Sequence, residues 1–343
     1  MNFTELFAKL PTSTLQDWET AARKQLKGKP LESIDISMLE GTVTTPFAIG
    51  TDTTTQGGGS QGWVQFSSFA ASGEVSGAML LEALNGGAQG LELSFSNLKR
   101  VSSELSELRF DFISLRINNL SIKNQAALID LIPQDQRKGA NLLVSLDNGV
   151  KAKDYKELVD VVGTVFFVLS PKLVVGEQAS LQHVFDAAKE QFYSVEKSTE
   201  LDSVMAALSV EIVLSSDYLK NIIFTHAVRL LFANLYHAYG VAEPLPRPYV
   251  FGRISHDGAT DSHENYLIDA TARAVAGISG GLDALTIEAY PESDQLLAAR
   301  RSRNIQNVLA IEGLLGMPLN AVAGAAFFEA AAKELVLSVW PHS

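Results

Sequence analysis

Phe112–Leu146 reads FISLRINNLSIKNQAALIDLIPQDQRKGANLLVSL. Its ends, Phe112–Asn118 and Asn141–Leu146, are short apolar runs of strand length. The piece between them, Ser121–Leu131, has the mixed apolar and polar spacing of a surface helix. A strand, a helix and a second strand in that order make a unit whose two strands run parallel, buried on both faces. The same rhythm recurs at Trp63–Phe69, Leu91–Phe95, Val165–Ser170, Val210–Ser215, Tyr249–Ser255 and Ala284–Tyr290, eight runs in all. Helical patterns separate them at Ser76–Gly86, Leu181–Glu196, Tyr218–Tyr239 and Tyr266–Ser279. Eight such units predict an α/β fold closed into a (β/α)8 TIM barrel. From the residues alone, a doubly wound open sheet is the rival topology.

Composition limits the function classes. The chain has 343 residues, 46% of them hydrophobic, which suits one large barrel domain. Its formal net charge is −12 and Lys and Arg are nowhere clustered, so binding nucleic acid through phosphate neutralisation is not expected. There is no cysteine, which excludes disulfides and thiolate metal sites. The first residues, MNFTELFAKLPTSTLQDWE, lack a basic flank followed by an apolar core, and no apolar run is long enough to span a bilayer. A soluble, cytoplasmic protein is the expectation.

Residues 1–49 read differently from the rest. A helix is predicted over Leu15–Lys27, followed by Pro- and Gly-punctuated sequence without a strand repeat. The expected division is an N-terminal arm over 1–49 and a barrel domain over 50–343. Between them Thr51–Gly62, TDTTTQGGGSQG, has three consecutive glycines but no Lys and leads into a strand. It reads as a flexible loop rather than a phosphate cradle.

Strand ends are where barrel active sites form. Arg116, Asp147, Glu177, Arg253, His256 and Glu288 lie in or just after predicted strands and are the candidate catalytic groups. Asp147 and Glu177 could pair as acid and base, or hold a hard metal. Strand-end charges also face solvent in many barrels. No H-x-H, H-E-x-x-H or G-x-S-x-G occurs. His183, His226 and His237 fall on predicted helices, as packing or surface residues. Neither a metal site nor a catalytic set is expected.

Arg300–Glu329, RRSRNIQNVLAIEGLLGMPLNAVAGAAFFE, resembles the closing segment of the barrel in the methylmalonyl-CoA mutase family. That pattern is close to R-x-x-R-N-x-Q, an acidic residue, then D-P-x-G-G-S-Y-Y-x-E. Arg300, Arg303, Asn304, Gln306, Glu312, Gly324 and Glu329 fall in register. Asn320–Phe327 has amide, methyl and phenyl groups where the family has acid and hydroxyls. Asn265–Gly281 is similar to a second family pattern through Asn265, Thr271, Ala274, Gly280 and Gly281, with Asp269 in place of an Arg. Tyr218–Leu235 matches a third through Ile222, Arg229, Leu230 and Leu231, with Thr225 and His226 in place of Ala-Lys. Asp17–Glu32, DWETAARKQLKGKPLE, resembles the family's N-terminal arm, followed by Glu40-Gly41 and Pro46.

The resemblance implies a barrel, and an arm that contacts a neighbouring subunit through Trp18, Lys27 and Pro30. A lid packed on its own barrel is the other reading of that arm. The family rearranges the carbon skeleton of CoA thioesters with adenosylcobalamin, whose cobalt is held by a His in a D-x-H-x-x-G loop of a further domain. Only three residues follow Trp340, so that domain is not expected in this chain. Asp261-Ser262-His263 spells D-x-H, but Tyr266 stands where the glycine belongs, and Asp261 or Ser262 reads better as a helix N-cap. The family's catalytic His after the fifth strand has no counterpart in Leu173–Gln178, and Gly62–Gln65 lacks the basic and tyrosyl groups of its first strand. The implied role is the small, non-catalytic (beta) subunit of a heterodimeric methylmalonyl-CoA mutase, with adenosylcobalamin on the large catalytic subunit and no cofactor here. The rivals are a barrel enzyme with a retained acyl-CoA pocket and divergent activity, or the barrel half of a split cobalamin-dependent mutase. What discriminates is whether the barrel axis is open to CoA or plugged by side chains.

Overall fold

The computed structural model describes residues 14–39, 42–45, 62–69, 75–104, 108–146, 150–170, 172–195, 201–241, 243–256, 262–291, 294–316, 322 and 324–340. Residues 51–61 of the loop expected over Thr51–Gly62, together with Asp147, Asp261, Glu40, Gly41 and Pro46, lie outside them.

A short antiparallel hairpin, β1 (Ile36–Leu39) and β2 (Thr42–Thr44), precedes the barrel. The wall is built by β3 (Val64–Ser68), β4 (Gly90–Ser94), β5 (Ser114–Asn118), β6 (Asn141–Ser145) and β7 (Thr164–Val168). A two-residue strand, β8 (Leu173–Val174), adds to β9 (Leu208–Val213), and β10 (Tyr249–Ile254) and β11 (Ala284–Ile287) complete the set. Every wall pairing is parallel, the order is β10-β11-β3-β4-β5-β6-β7-β9, and a β9–β10 pairing closes the ring. This is the eight-stranded TIM-type barrel predicted from the strand rhythm.

Alternation along the strands explains the closure. One set of side chains points outwards and is mostly apolar: Leu91, Leu93, Leu115, Ile117, Leu142, Val144, Val210 and Ile212 are all buried, with Gln65 on β3 a buried polar exception. They meet the surrounding helices in one continuous core. A fully buried side chain of this kind stabilises by about 1.5–3 kcal/mol relative to leaving it in water.

The helices are α1 (Leu15–Gln25), α2 (Gly77–Asn85), α3 (Phe95–Val101), α4 (Gln125–Leu131), α5 (Lys156–Val161) and α6 (Gln178–Val195). They continue with α7 (Leu201–Ala207), α8 (Tyr218–Ala238), α9 (His263–Ser279), α10 (Gln295–Ile311) and α11 (Ala326–Val339). Side-chain caps start many of them: Ser76, Ser94, Asp217, Ser262 and Asp294 each accept from a backbone N–H in the first turn. Two predicted strand ends are corrected. Phe95 is the first residue of α3, because Ser94 caps a helix there. Phe112 is 77% exposed, with the guanidinium of Arg109 over its ring, and β5 begins only at Ser114.

The first part of the chain divides in two. The hairpin was not expected from the sequence, yet Met38 and Leu39 join the main core and Thr44 donates to Glu334 on α11 at 2.6 Å. α1 is different. Thr14 and Asp17 form a reciprocal capping box, but the helix buries none of its residues. Trp18 is half-buried, whereas Lys27, with φ 51°, and Pro30 are exposed.

Candidate functional site

Side chains facing the barrel axis are not apolar throughout. Glu92 on β4, Arg116 on β5, Glu211 on β9 and Arg253 on β10 each stand mid-strand or near a strand end, and all are at most 5% exposed. Arg116 binds Glu211, and Arg253 binds both Glu211 and, at 2.5 Å, Glu92. β5 and β9 are separated in the ring by β6 and β7, and β4 and β10 by β3 and β11. The Arg116–Glu211 and Arg253–Glu92 pairs therefore cross the lumen, while Arg253–Glu211 joins neighbouring strands. Arg116 also approaches Glu92 at 3.4 Å, Asn118 donates to Glu92 at 3.0 Å, and Ser145 donates to Asn118 at 2.8 Å.

Two further charges join from the strand-end side. Glu288 accepts from Arg253 at 3.0 Å, and Lys172 reaches Glu211 at 2.9 Å with half its side chain in solvent. Three acids thus meet three bases. Burial alone would push the Glu211 carboxyl up, but Arg116, Arg253 and Lys172 outweigh it and hold the group well below the ordinary carboxylate range. Burial opposes ionisation of Glu92 too, and Arg116 and Arg253 again prevail. Arg253 is pushed the other way: burial would lower its pKa, and Glu92 and Glu211 raise it.

Aromatic rings fill the rest of the section. The Arg116 guanidinium lies 4.2 Å from the centroid of Phe251, whose ring meets Phe66 edge-on at 5.1 Å. Phe166 stacks on Tyr249 at 4.5 Å, and Leu143, Val168 and Ala284 pack among them. The axis is occupied by this chain's own side chains. Outside the lumen, a cavity of about 60 Å³ lies between β3, α2 and α10, with Met79, Leu296 and Arg303 among its walls. That is room for a few waters.

Of the sequence candidates, the structure brings together Arg116, Arg253 and Glu288. His256 sits on the same rim, its ring against Tyr266 and Tyr290 at 5.5 and 4.9 Å. Glu177 is exposed and apart from the cluster. Sequence reasoning missed Glu92, Glu211 and Lys172. The signal for the two carboxylates was there: each is a lone acid flanked by apolar residues within a buried strand, Leu91-Glu92-Leu93 and Val210-Glu211-Ile212. Among the described residues, no three His, Cys, Asp or Glu side chains are grouped to hold a metal ion.

The signature residues act as braces between helices and strands. Arg229 on α8 donates to the backbone oxygens of Gly281 and Pro248 and to Asp283 at 3.0 Å, fixing the turn into β11. Gly280 caps α9, and a Cβ there would lie 3.0 Å from Thr225, so the glycine lets α8 and α9 touch. Thr271 bonds back to Leu267, and Asn265 donates its backbone N–H to the Ser262 cap. Arg303 holds Glu82 and the Gly86 oxygen, while Gln306 accepts from Trp63 at 3.1 Å. Asn304 and Glu312 lie on the exposed side of α10. Gly324, at φ 77°, donates to Glu329, which also pairs with His226 at 2.9 Å.

These braces fall in the part of the chain that comparison with known families picks out. Residues 190–342 match the family model for methylmalonyl-CoA mutase. The C-terminal half of the barrel is thus similar to that family, in the stretches where the signature residues lie. No curated protein sequence matches the chain. Among solved structures it is similar to dihydropteroate synthase from Xanthomonas albilineans, with 12% identity, a TM-score of 0.41, and coverage of 73% of this chain and 94% of that one. The enzyme from Burkholderia cenocepacia gives 10%, 0.42, 74% and 93%, and that from Coxiella burnetii 12%, 0.43, 73% and 94%. Nothing of their chemistry carries over at such values. Among the described residues, no helix is long and apolar enough to cross a membrane.

Proposed function

We propose that this mutase-related barrel is a non-catalytic subunit that pairs with and stabilises a large, adenosylcobalamin-binding mutase subunit. The observation that carries the reading is the lumen-crossing cluster of Glu92, Arg116, Glu211 and Arg253, packed on Phe251. It stands where a CoA ester would run in a working barrel of the family, and it counts against both a retained acyl-CoA pocket and a split mutase. The strand-end segment Leu173–Gln178 offers no His, and Trp63 is engaged with Gln306. Against cobalt ligation in this chain stands the environment of His263. It is the first residue of α9, next to the Ser262 cap, its ring lies 5.9 Å from Tyr290, and its Nε2 is buried.

The contact to the large subunit is assigned to α1. An isolated helix of this length is marginal in water, and its capping box is spent on a segment with no core of its own. Leu15, Trp18, Ala22 and Leu26 recur along one side, as an interface helix requires. The test is co-purification with the large subunit and an assay of succinyl-CoA and methylmalonyl-CoA interconversion by each chain and by both. The expected result is turnover from the large subunit, raised in stability but not in chemistry by this chain, and lost association on deleting residues 1–30. Turnover by this chain with a separately supplied cobalamin domain would overturn the reading, as would cobalamin spectra perturbed by this chain alone.

A further inference from the structure

We propose that α10 carries a self-pairing surface through which two copies of this chain associate. The helix buries Ala298, Ser302, Arg303, Gln306 and Leu309 against the barrel. Its other side is not the polar face that a surface helix normally shows. Leu297, Val308 and Ile311 are 37%, 47% and 73% exposed, and with Arg301 and Asn304 they recur every four and three residues, as in a coiled-coil seam. Leu296 and Leu314 flank the seam at 52% and 64% exposure. Five of the fourteen exposed large apolar side chains among the described residues fall in this one segment. Such residues need no explanation when scattered; gathered on one face they mark a contact surface.

Leu314 holds φ 53° just past the helix, where the Leu315 N–H bonds back to the Leu309 oxygen at 3.1 Å and closes the helix end, leaving the Leu314 side chain in solvent beside the seam.

The pattern selects a second copy as occupant because it complements itself. Leu297 lies seven residues before Asn304 and Ile311 seven after. Two antiparallel α10 helices related by a two-fold axis at Asn304 would set Leu297 of each against Ile311 of the other. The Asn304 amides would meet on the axis, each with a donor and an acceptor to offer. Charge agrees with the antiparallel sense. Arg301 lies in the first half of the helix and Glu312 follows its end, so that arginine comes near the other copy's carboxylate, while Arg300 beside it is held by Glu82 of its own chain at 3.3 Å. A parallel pair would set like charges side by side. The net charge of −12 per copy opposes association, so added salt should tighten it. None of this depends on the large-subunit reading, which rests on α1.

The experiment is sedimentation velocity on the full chain up to about 200 µM, a range that captures contacts of modest affinity. The wild type is expected to show a reversible monomer–dimer equilibrium. Ile311→Glu and Val308→Glu, each with an unchanged far-UV circular dichroism spectrum, should weaken it by about tenfold or more. The absence of cysteine permits a second measurement independent of affinity. Asn304→Cys should be joined into a covalent dimer by a short bis-maleimide, and Tyr193→Cys, exposed on α6, should not. A wild type that stays monomeric throughout overturns the proposal. So does a dimer indifferent to Ile311→Glu but lost on deleting residues 1–30, or cross-linking equal at 304 and 193. Binding at α10 only when a different barrel subunit is co-expressed would give the face to that subunit and equally refute self-pairing.

Discussion

The same eight strands present two unlike faces. Outwards they offer Leu, Ile and Val to the helices, and any of these could be exchanged for another of similar volume at modest cost. Inwards they offer Glu92, Arg116, Glu211 and Arg253, each defined by a particular partner on a non-neighbouring strand. The outer face makes the barrel. The inner face decides what the barrel excludes. Barrel interiors are commonly filled by bulky branched residues; an ionic filling is a more demanding solution, because each charge left without its partner is costly.

The comparison is broken most severely from the inside. Glu211→Leu would leave Arg116, Arg253 and Lys172 facing one another, and is expected to lower unfolding free energy by about 3–5 kcal/mol, measured by urea denaturation. Replacing Glu92, Arg116, Glu211 and Arg253 together by apolar residues of matching size should cost much less than that single change. If instead the single change is silent, the charges are not a cooperating set. On the outer face, Leu142→Ala should cost about 2–5 kcal/mol by leaving a cavity, with no dependence on which residue lies across the lumen.

Acid sharpens the contrast without a change of volume. Glu92 and Glu211 have folded pKa values below the ordinary value of 4.5. Their contribution to stability is complete above that value and is lost as pH falls through the lowered folded values. The wild type should therefore lose stability below about pH 4.5 faster than the fourfold apolar variant. Parallel curves for the two would mean that the network carries no pH dependence. The smallest effect belongs to α1. Thr14→Ala should remove about 1 kcal/mol of local helix stability, seen as faster amide exchange in residues 15–25, while the thermal midpoint of the barrel stays unchanged. A lowered midpoint would tie α1 to its own barrel and favour the lid reading.

Much of this was legible in the sequence. The eight apolar runs are the eight wall strands, in order, because a wall packed on its outer face leaves a run that no turn signal interrupts. Helix starts were equally readable where a side chain closes the first turn, as Ser262 does for α9. The ends of runs misled, since Phe95 and Phe112 are apolar by type and their places are set by a cap and by the pairing register. Arg116, Arg253 and Glu288 were recognised as strand charges but not as one cluster. Arg116 and Glu211 are 95 residues apart, and Glu92 and Arg253 are 161 apart. Local pattern holds no trace of such a pairing. Only ring closure brings the partners together.

The aromatic filling owes its shape to a missing atom. Gly90 faces the lumen beside Phe66, and a Cβ at that position would stand 2.7 Å from the ring. The ring has nowhere to retreat, since Phe251 lies against it and both are buried. Every single-base change in a glycine codon that alters the amino acid adds at least that carbon. Position 90 therefore has no neutral amino-acid change one base away, and a saturation library of this barrel should show it among the least tolerant sites, well ahead of the leucines that make up most of the core.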